Sequence, residues 1–384
     1  MKNDASGRKS RPRGVAVVGF LLVHAAALGV FIVGFSWTGV ALCVASYYLR
    51  MFAVTAGFHR YFSHRAYRLG RIPQFLLALL GQTAAQKGVL WWASNHRHHH
   101  RYSDRPEDVH SPVQRGFWWS HIGWILSDEQ TQTDLSRVPD LAKFPELVWL
   151  DRREYLPTAL YAVALYLSFG WTGLFYGYFL STVLLWHGTF CINSVMHLVG
   201  RRAYATTDDS RNSFLFAVAT MGEGWHNNHH WAPASAAQGF RWWQIDTSFY
   251  LLWIAERLGI VRSLRRKPPR WLEAEREAMR TGRAFTSARL HARVLRLSRR
   301  WADLRESARA TAQETFEELE AARARVLSRL EHLHAQAAAA GARAGKTLDE
   351  IHAEIERARA HLAEVLERLV QTAESLGLPN PQAV

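Results

Sequence analysis

The chain has 384 residues, of which 48% are hydrophobic and 21% charged, and its formal net charge is +14. This length suits one large or two modest domains with a sizeable core. The two cysteines, Cys43 and Cys191, both lie in apolar stretches, which excludes a disulfide framework and a cysteine-ligated zinc site.

The basic N-terminus directly precedes an apolar segment. Its cations are Lys2, Arg8, Lys9, Arg11 and Arg13. A strong positive charge is also typical of nucleic-acid binding, but lysine and arginine next to a membrane span set its orientation. We therefore interpret residues 1–13 as a cytosolic anchor and expect no nucleic-acid partner.

Two long apolar stretches predict membrane hairpins. Residues 14–57 and 156–190 each contain a break rich in glycine and tryptophan, and about 20 apolar residues suffice to cross the hydrocarbon core. The predicted transmembrane helices are residues 14–36, 38–57, 156–169 and 172–190. Polar residues interrupt the stretch 72–92, which we place at the interface. These patterns predict an all-α, multi-pass protein of the lipid bilayer with both termini in the cytoplasm.

Histidines form three groups between the predicted spans. These groups are His59 with His64, the stretch His96-Arg-His-His-His100, and the stretch His226-Asn-Asn-His-His230, while His197 stands alone. Residues i, i+3 and i+4 share one face of a helix, so each His-x-x-His-His stretch can direct three imidazoles at one place. His59 and His64 are five residues apart and converge only if the second span ends between them. We expect such an end.

The histidines predict a metal site on one side of the membrane. Metal ligands must meet in space, so an even number of spans must separate the groups. Imidazole suits Zn, Cu, Fe and Ni, and nine histidines exceed what one ion uses, which makes two metals plausible. A histidine-rich transporter or chaperone is the alternative, but such tracts are usually of low complexity and lack fixed spacing.

Other polar residues are assigned outside the site. Asp104, Glu107 and Asp108 follow the second histidine group, and Arg105-Pro106 makes a solvated loop the favoured interpretation over carboxylates that orient ligating imidazoles. Four further histidines fall outside the ligand spacing or inside apolar spans, and we exclude them from the site. They are His24, His110, His121 and His187.

Over about residues 14–260 the sequence resembles the membrane-bound fatty acyl desaturases of the stearoyl-coenzyme A desaturase type. The matching stretches are TAGFHRYFSHRAYR at 55–68, HRHHH at 96–100, RGFWWSHIGW at 115–124, NSVMH at 193–197 and GEGWHNNHH at 222–230. The resemblance implies a four-helix stem, a cytosolic helical cap and two irons in a desaturase domain over residues 14–261. The implied ligands are His59, His64, His96, His99, His100, His197, His226, His229 and His230.

The resemblance also implies roles around the metals. Asn193 would hold an iron-bound water, while His98, Asn227 and Glu223 would support the ligands. Trp118, Trp119 and Trp124 would line the acyl tunnel, although an interfacial aromatic belt explains them equally well.

The implied reaction is the O2-dependent insertion of a cis double bond, at the delta-9 position, into a long acyl chain. Breaking an unactivated C–H bond requires the cofactor, and the protein positions the chain. Hydroxylation or another oxygenation, and a non-enzymatic membrane metal-binding protein, are the alternatives.

Differences from the family pattern bear on two expected partners, the acyl carrier and the electron donor. Ser94-Asn95 stand where acyl-coenzyme A desaturases usually carry Arg-Asp, which weakens a coenzyme A thioester. We still favour it slightly over an acyl-lipid or an acyl-carrier protein. The sequence has no His-Pro-Gly-Gly haem signature, so a separate ferredoxin-like or cytochrome donor, with its reductase, is expected to supply electrons.

Residues 262–384 are rich in Arg, Glu and Ala and predict a C-terminal extension of long helices. Gly341 to Gly345 separates two apolar runs, the second of which follows a capping box at Thr347 to Glu350. A helical hairpin, folded on itself or lying along the membrane, is favoured over self-association through a coiled coil.

Overall fold

The computed structural model describes residues 12–204 and 206–266. In this part of the chain the backbone forms helices and four isolated β-bridges but no strand, as the all-α prediction requires. Most of the basic N-terminal segment and nearly all of the predicted C-terminal extension, with its expected helical hairpin and the alternative of a coiled coil, lie outside the described residues.

Thirteen α-helices are described, together with several short π- and 3₁₀-helical segments. The α-helices are α1 (Gly14–Ala27), α2 (Val30–Val33), α3 (Trp37–Phe52), α4 (Arg71–Gln82), α5 (Val89–Tyr102), α6 (Pro112–Arg115), α7 (Pro139–Ala142), α8 (Pro145–Asp151), α9 (Leu156–Thr172), α10 (Ser181–Ser194), α11 (Phe214–Ala219), α12 (His226–Trp231) and α13 (Thr247–Arg257).

Within the part of the chain that the structure describes, three helical stretches are long and apolar enough to cross a membrane. They are Gly14–Val33, Trp37–Ser63 and Leu156–His197. The first two correspond to the first predicted hairpin, and the third covers both helices of the second. The interfacial stretch 72–92 is not among these candidates, and Ile72 on α4 is 74% exposed.

The third stretch is a folded-back pair of helices. Its 42 residues would extend about 63 Å if straight, about twice the hydrocarbon thickness. Gly170 breaks it with φ 59° and ψ −148°, a conformation that favours glycine. After this break the chain reverses, because Thr158 Oγ1 lies 2.6 Å from the Tyr178 hydroxyl and Leu165 borders Gly177. The break predicted around Phe169 to Gly173 therefore turns the chain.

The second span ends at Ser63, which confirms the expected end between His59 and His64. Before this end, the helix continues from α3 into a π-helical segment, Ala53–Ser63. In a π-helix the hydrogen bonds join residues five apart, and the His64 N–H donates to the His59 carbonyl oxygen at 3.2 Å. This wider winding, which the sequence did not predict, brings both imidazoles to one face.

Helix α8 holds the N-terminal end of α5 in place. The Asp151 carboxylate, at the end of α8, accepts hydrogen bonds from the backbone N–H groups of Leu90 and Trp91 at 2.8 and 3.0 Å. These N–H groups lie in the first turn of α5, where a helix lacks internal partners and favours negative charge. Leu147 and Leu150 of α8 join the same buried core as Leu90. Helix α5, which carries the stretch from His96 to His100, is thus fixed to α8.

Candidate metal centre

Five histidines from three parts of the chain converge at one place, which we call the first group. Each offers one ring nitrogen, and these nitrogens all lie within 4.8 Å of one another. The Nε2 atom of His229 lies 2.8 Å from Nε2 of both His59 and His100. The members are His59, His64, His96, His100 and His229.

Four other histidines form the second group, with nitrogens within the same 4.8 Å limit. Nε2 of His197 lies 3.0 Å from Nε2 of His226. The rings of the two groups touch, since the centroids of His100 and His230 are 4.5 Å apart. The members are His99, His197, His226 and His230.

Each His-x-x-His-His stretch is divided between the two groups. On α5, His96 and His100 enter the first group and His99 the second; on α12, His226 and His230 enter the second and His229 the first. The expectation that each stretch directs three rings at one place is therefore wrong. The histidines at positions i and i+4 enter the same group. The histidine between them lies far enough around the helix for its ring to reach the adjacent group.

The chemistry of the donors fits metal ions. Burial lowers the pKa of His96, His100, His226 and His229 well below the usual value, and the neighbouring imidazoles lower it further. The rings are neutral at pH 7, as metal ligands must be. His230 Nε2 is buried without a hydrogen-bond partner among the described residues, while its Nδ1 lies 2.8 Å from Asp208 Oδ2. A buried nitrogen left without a partner is costly, and a cation between the rings would satisfy it.

Carboxylates hold four of these rings by the other ring nitrogen, Nδ1. Such contacts fix the tautomer and orientation of a ligating imidazole. The pairs are His99 with Asp108 at 2.9 Å, His197 with Asp104 at 2.7 Å, His230 with Asp208 at 2.8 Å and His59 with Glu223 at 2.5 Å. Burial by itself raises the pKa of Asp108 and Asp208, but the facing histidines hold it below the usual range.

The favoured interpretation of residues 104–108 as a solvated loop is wrong for two of its three acidic residues. Asp108 is fully buried and Asp104 contacts His197, whereas Glu107 is exposed as predicted. Asp208 was not predicted as a site residue from the sequence. It lies 18 residues before His226, and no spacing rule connects a loop carboxylate with a distant helix.

Asp108 and Glu107 provide a matched pair for testing the carboxylate contacts. We expect Asp108→Asn to lower metal affinity by about 10–100-fold, because the amide is a weaker partner for His99 Nδ1. Glu107→Gln should leave the affinity unchanged. Metal titration of the purified apoprotein measures both, and equal affinities in the two variants would contradict an orienting role for Asp108.

The remaining predicted site residues occupy varied positions. The Asn193 carbonyl oxygen accepts a hydrogen bond from Ser120 Oγ at 3.1 Å, and Asn193 lies four residues before His197. His98 is outside both groups, with Nε2 3.0 Å from the Glu107 carbonyl oxygen. The Asn227 side chain accepts from the backbone N–H groups of 203 and 204, so it braces the adjacent loop.

The three tryptophans assigned to a tunnel differ in environment. Trp118 is 72% exposed, which fits an interfacial aromatic residue. Trp119 donates to the Val109 carbonyl oxygen at 2.8 Å. Trp124 is buried and its ring lies 4.9 Å from that of His110.

His110, which the sequence analysis excluded, lies beside the second group. Its ring stacks on His99 with centroids 4.4 Å apart, and its Nδ1 is 3.7 Å from Asp108. Neither ring nitrogen has a hydrogen-bond partner among the described residues. Its position two residues after Asp108 was the available signal.

The geometry defines a class of protein: an all-helical membrane-associated protein whose two clusters of histidines are suited to hold metal ions. The family model "Fatty acid desaturase" matches residues 35–253. The chain belongs to the fatty acid desaturase family, and it is an oxidoreductase. The predicted membrane fatty acyl desaturase is thereby confirmed.

Similar proteins include desaturases with different acyl carriers. The chain is 37% identical over 268 residues, 68% of this chain and 94% of the relative, to the sn-2 palmitoyl-lipid 9-desaturase of Nostoc sp. (strain 36). It is 37% identical over 235 residues, 60% of this chain and 75% of the relative, to the acyl-CoA C20 Delta5-desaturase of Anemone leveillei. It is 33% identical over 261 residues, 62% of this chain and 80% of the relative, to the hex-5-enoyl-[acyl-carrier protein] acetylenase of Moorena producens (strain JHB).

Proposed function

We propose that this chain is an O2-dependent desaturase that inserts a cis double bond at the delta-9 position of a long acyl chain. The observation that carries the proposal is the convergence of nine histidines into two adjacent groups in a chain of the desaturase family. Two iron ions held by the first and second groups would supply the oxidising power that an unactivated methylene requires.

The residues of the chain prepare the site in two ways. Asp104, Asp108, Asp208 and Glu223 each keep a proton on Nδ1 of a facing imidazole, which leaves Nε2 free to bind a metal. His59, His99, His197, His226 and His229 are buried, so little water reaches the ligating atoms. We propose that Asn193 contributes through a bound water.

We propose four membrane spans with the termini and the metal site on the cytoplasmic side. The reversal at Gly170 supports two spans within the third apolar stretch. An even number of spans then separates the histidine groups, as their convergence requires. We further propose a desaturase domain over residues 14–261, followed by the C-terminal extension.

The acyl carrier is proposed to be a membrane lipid. Ser94 and Asn95, at the positions where coenzyme A enzymes usually have Arg-Asp, are both buried. Ser94 Oγ donates to the Asp134 carbonyl oxygen at 3.0 Å, and Asn95 donates to that of Trp91 at 2.9 Å. Because both side chains are buried, neither is exposed to a nucleotide at the protein surface. This reverses the slight preference for acyl-coenzyme A, and the Nostoc relative is named for a lipid substrate.

The electrons are proposed to come from a separate ferredoxin-like or cytochrome donor with its reductase. The net charge of +14 favours an acidic partner, because opposite charges accelerate encounter.

Lipid profiling of cells that express the chain tests the function. We expect monounsaturated chains with a cis double bond at carbon 9, in phospholipids before they reach the coenzyme A pool. Pulse labelling of both pools separates the carriers. Hydroxylated chains would support the oxygenase alternative instead, and no oxidised lipid from an iron-loaded protein would contradict both.

A further inference from the structure

The structure joins three histidines that the metal groups do not use. His24 lies on α1, His187 on α10, and His121 in the π-helical segment Trp119–Gly123. Nε2 of His24 is 3.1 Å from Nε2 of His187, and Nδ1 of His187 is 3.0 Å from Nε2 of His121. We call this chain of rings the histidine ladder.

When the three rings are neutral, each hydrogen bond of the ladder can have only one donor and one acceptor. A carbonyl oxygen can only accept, so His24 Nδ1 donates to Phe20 O at 2.8 Å, which leaves His24 Nε2 as an acceptor. His187 must then donate to His24, and His121 must donate to His187. The last nitrogen, His121 Nδ1, is left as an acceptor, 2.9 Å from Ser194 Oγ, whose hydroxyl also lies 2.9 Å from the Phe190 carbonyl oxygen and shares its single proton between these two acceptors.

The end of the ladder meets the end of α10 at two points. His121 Nδ1 faces the Ser194 hydroxyl, and the neighbouring Ser120 hydroxyl donates to the Asn193 carbonyl oxygen at 3.1 Å. At this place the chain changes from the α-helix Ser181–Ser194 to the 3₁₀ turn Val195–His197. Such a change of winding loses regular helical hydrogen bonds, so contacts from outside the helix are needed to hold it.

We propose that His121, the last ring of the histidine ladder, is a positioning residue that fixes the Asn193–Ser194 end of α10 against the second histidine group. His197, in that group, follows Ser194 by three residues. The other rings connect His121 through His187 to His24 of α1. His121 is 7% exposed and Ser194 fully buried, so the contact between them is protected from competition by water. In its reference to iron this inference rests on the proposed function.

Two substitutions of His121 separate the Ser194 contact from the rest of the ladder. Asparagine places an amide near the position of Nδ1 and retains the contact with Ser194. Glutamine reaches the position of Nε2, retains the contact with His187 and loses Ser194. We expect His121→Gln to weaken ferrous iron binding at one of the two sites by about 10-fold. His121→Asn should bind iron at both sites as the wild-type protein does.

The experiment titrates the full-length apoprotein in nanodiscs with ferrous iron under anaerobic conditions. Ser194→Ala should show the same loss at one site, and combining it with His121→Gln should add little, because both remove the contact between His121 and Ser194. Phe20→Leu serves as the control, since it removes a ring next to His24 but keeps the carbonyl acceptor. It should bind both irons normally.

The outcomes distinguish the ladder from the metal assignment. Wild-type protein that binds fewer than two irons would contradict the proposed function, whatever the ladder does. If the wild-type protein binds two irons and His121→Gln binds them with the same affinities, the positioning role of His121 is overturned. Equal weakening of both sites in His121→Gln, or no recovery in His121→Asn, would also overturn it, because the defect would then be general.

Discussion

His229→Ala should abolish desaturation while the protein still inserts into the membrane. His229 Nε2 lies 2.8 Å from Nε2 of both His59 and His100, so its loss opens the middle of the first group. Even residues that only orient ligands typically contribute 10–100-fold, so removal of a ligand should lower product formation by more than about 100-fold. Unsaturated lipids in expressing cells and the iron content of the purified variant provide the measurements.

His98→Ala is the matched control for this substitution. His98 lies on α5 between His96 and His99, but it contacts the Glu107 carbonyl oxygen instead of the other rings. Its removal should lower activity by less than about 3-fold, since an isolated, half-exposed hydrogen bond contributes only about 1 kcal/mol. Activity that survives in His229→Ala would remove His229 from the ligand set. Equal losses in both variants would point to a general disturbance of the helices.

The sequence predicted which histidines converge but not how they divide. Helical spacing correctly grouped positions i and i+4, as in His226 and His230. The assignment of His229 to a separate group depends on the placement of two other helices, which spacing within α12 does not contain. The π-helical pitch that joins His59 and His64 was likewise out of reach, because regular α-helical periodicity was assumed.

Long-range partners explain the rest of the difference. Gly170 was found from sequence because a glycine within an apolar stretch is a local signal for a break. Asp208 gave no such signal, whereas the positions of His24 and His187 within apolar spans indicated hydrogen bonds between helices but not which residues make them. Their partners lie 22 and 163 residues away in the chain, and only the packed helices bring them together.

Arg60→Met should be the most destabilising single substitution near the site. Arg60 is 1% exposed, and its guanidinium contacts Asp246 at 2.8 Å and Glu223 at 3.2 Å. It thereby links the π-helical segment that carries His59 to the residues before and after α12. Removing the cation leaves two buried carboxylates without the positive charge that faces them, which costs about 3–5 kcal/mol. At about 2–4 °C per kcal/mol, we expect the midpoint of thermal unfolding to fall by roughly 10 °C.

Arg71→Met is the control on the protein surface. Arg71 makes two hydrogen bonds with Glu146, at 2.7 and 2.9 Å, but its side chain is largely exposed, and water screens such pairs so that they contribute little to stability. The midpoint should therefore move by less than about 4 °C. Replacing Asp246 by Asn and Glu223 by Gln in the Arg60→Met background should recover part of the loss, since no buried charge is then unpaired. Equal midpoints for Arg60→Met and Arg71→Met would show that the Arg60 cation does not stabilise the two carboxylates. The packing of the π-helical segment Ala53–Ser63 beside α12 would then depend on other contacts.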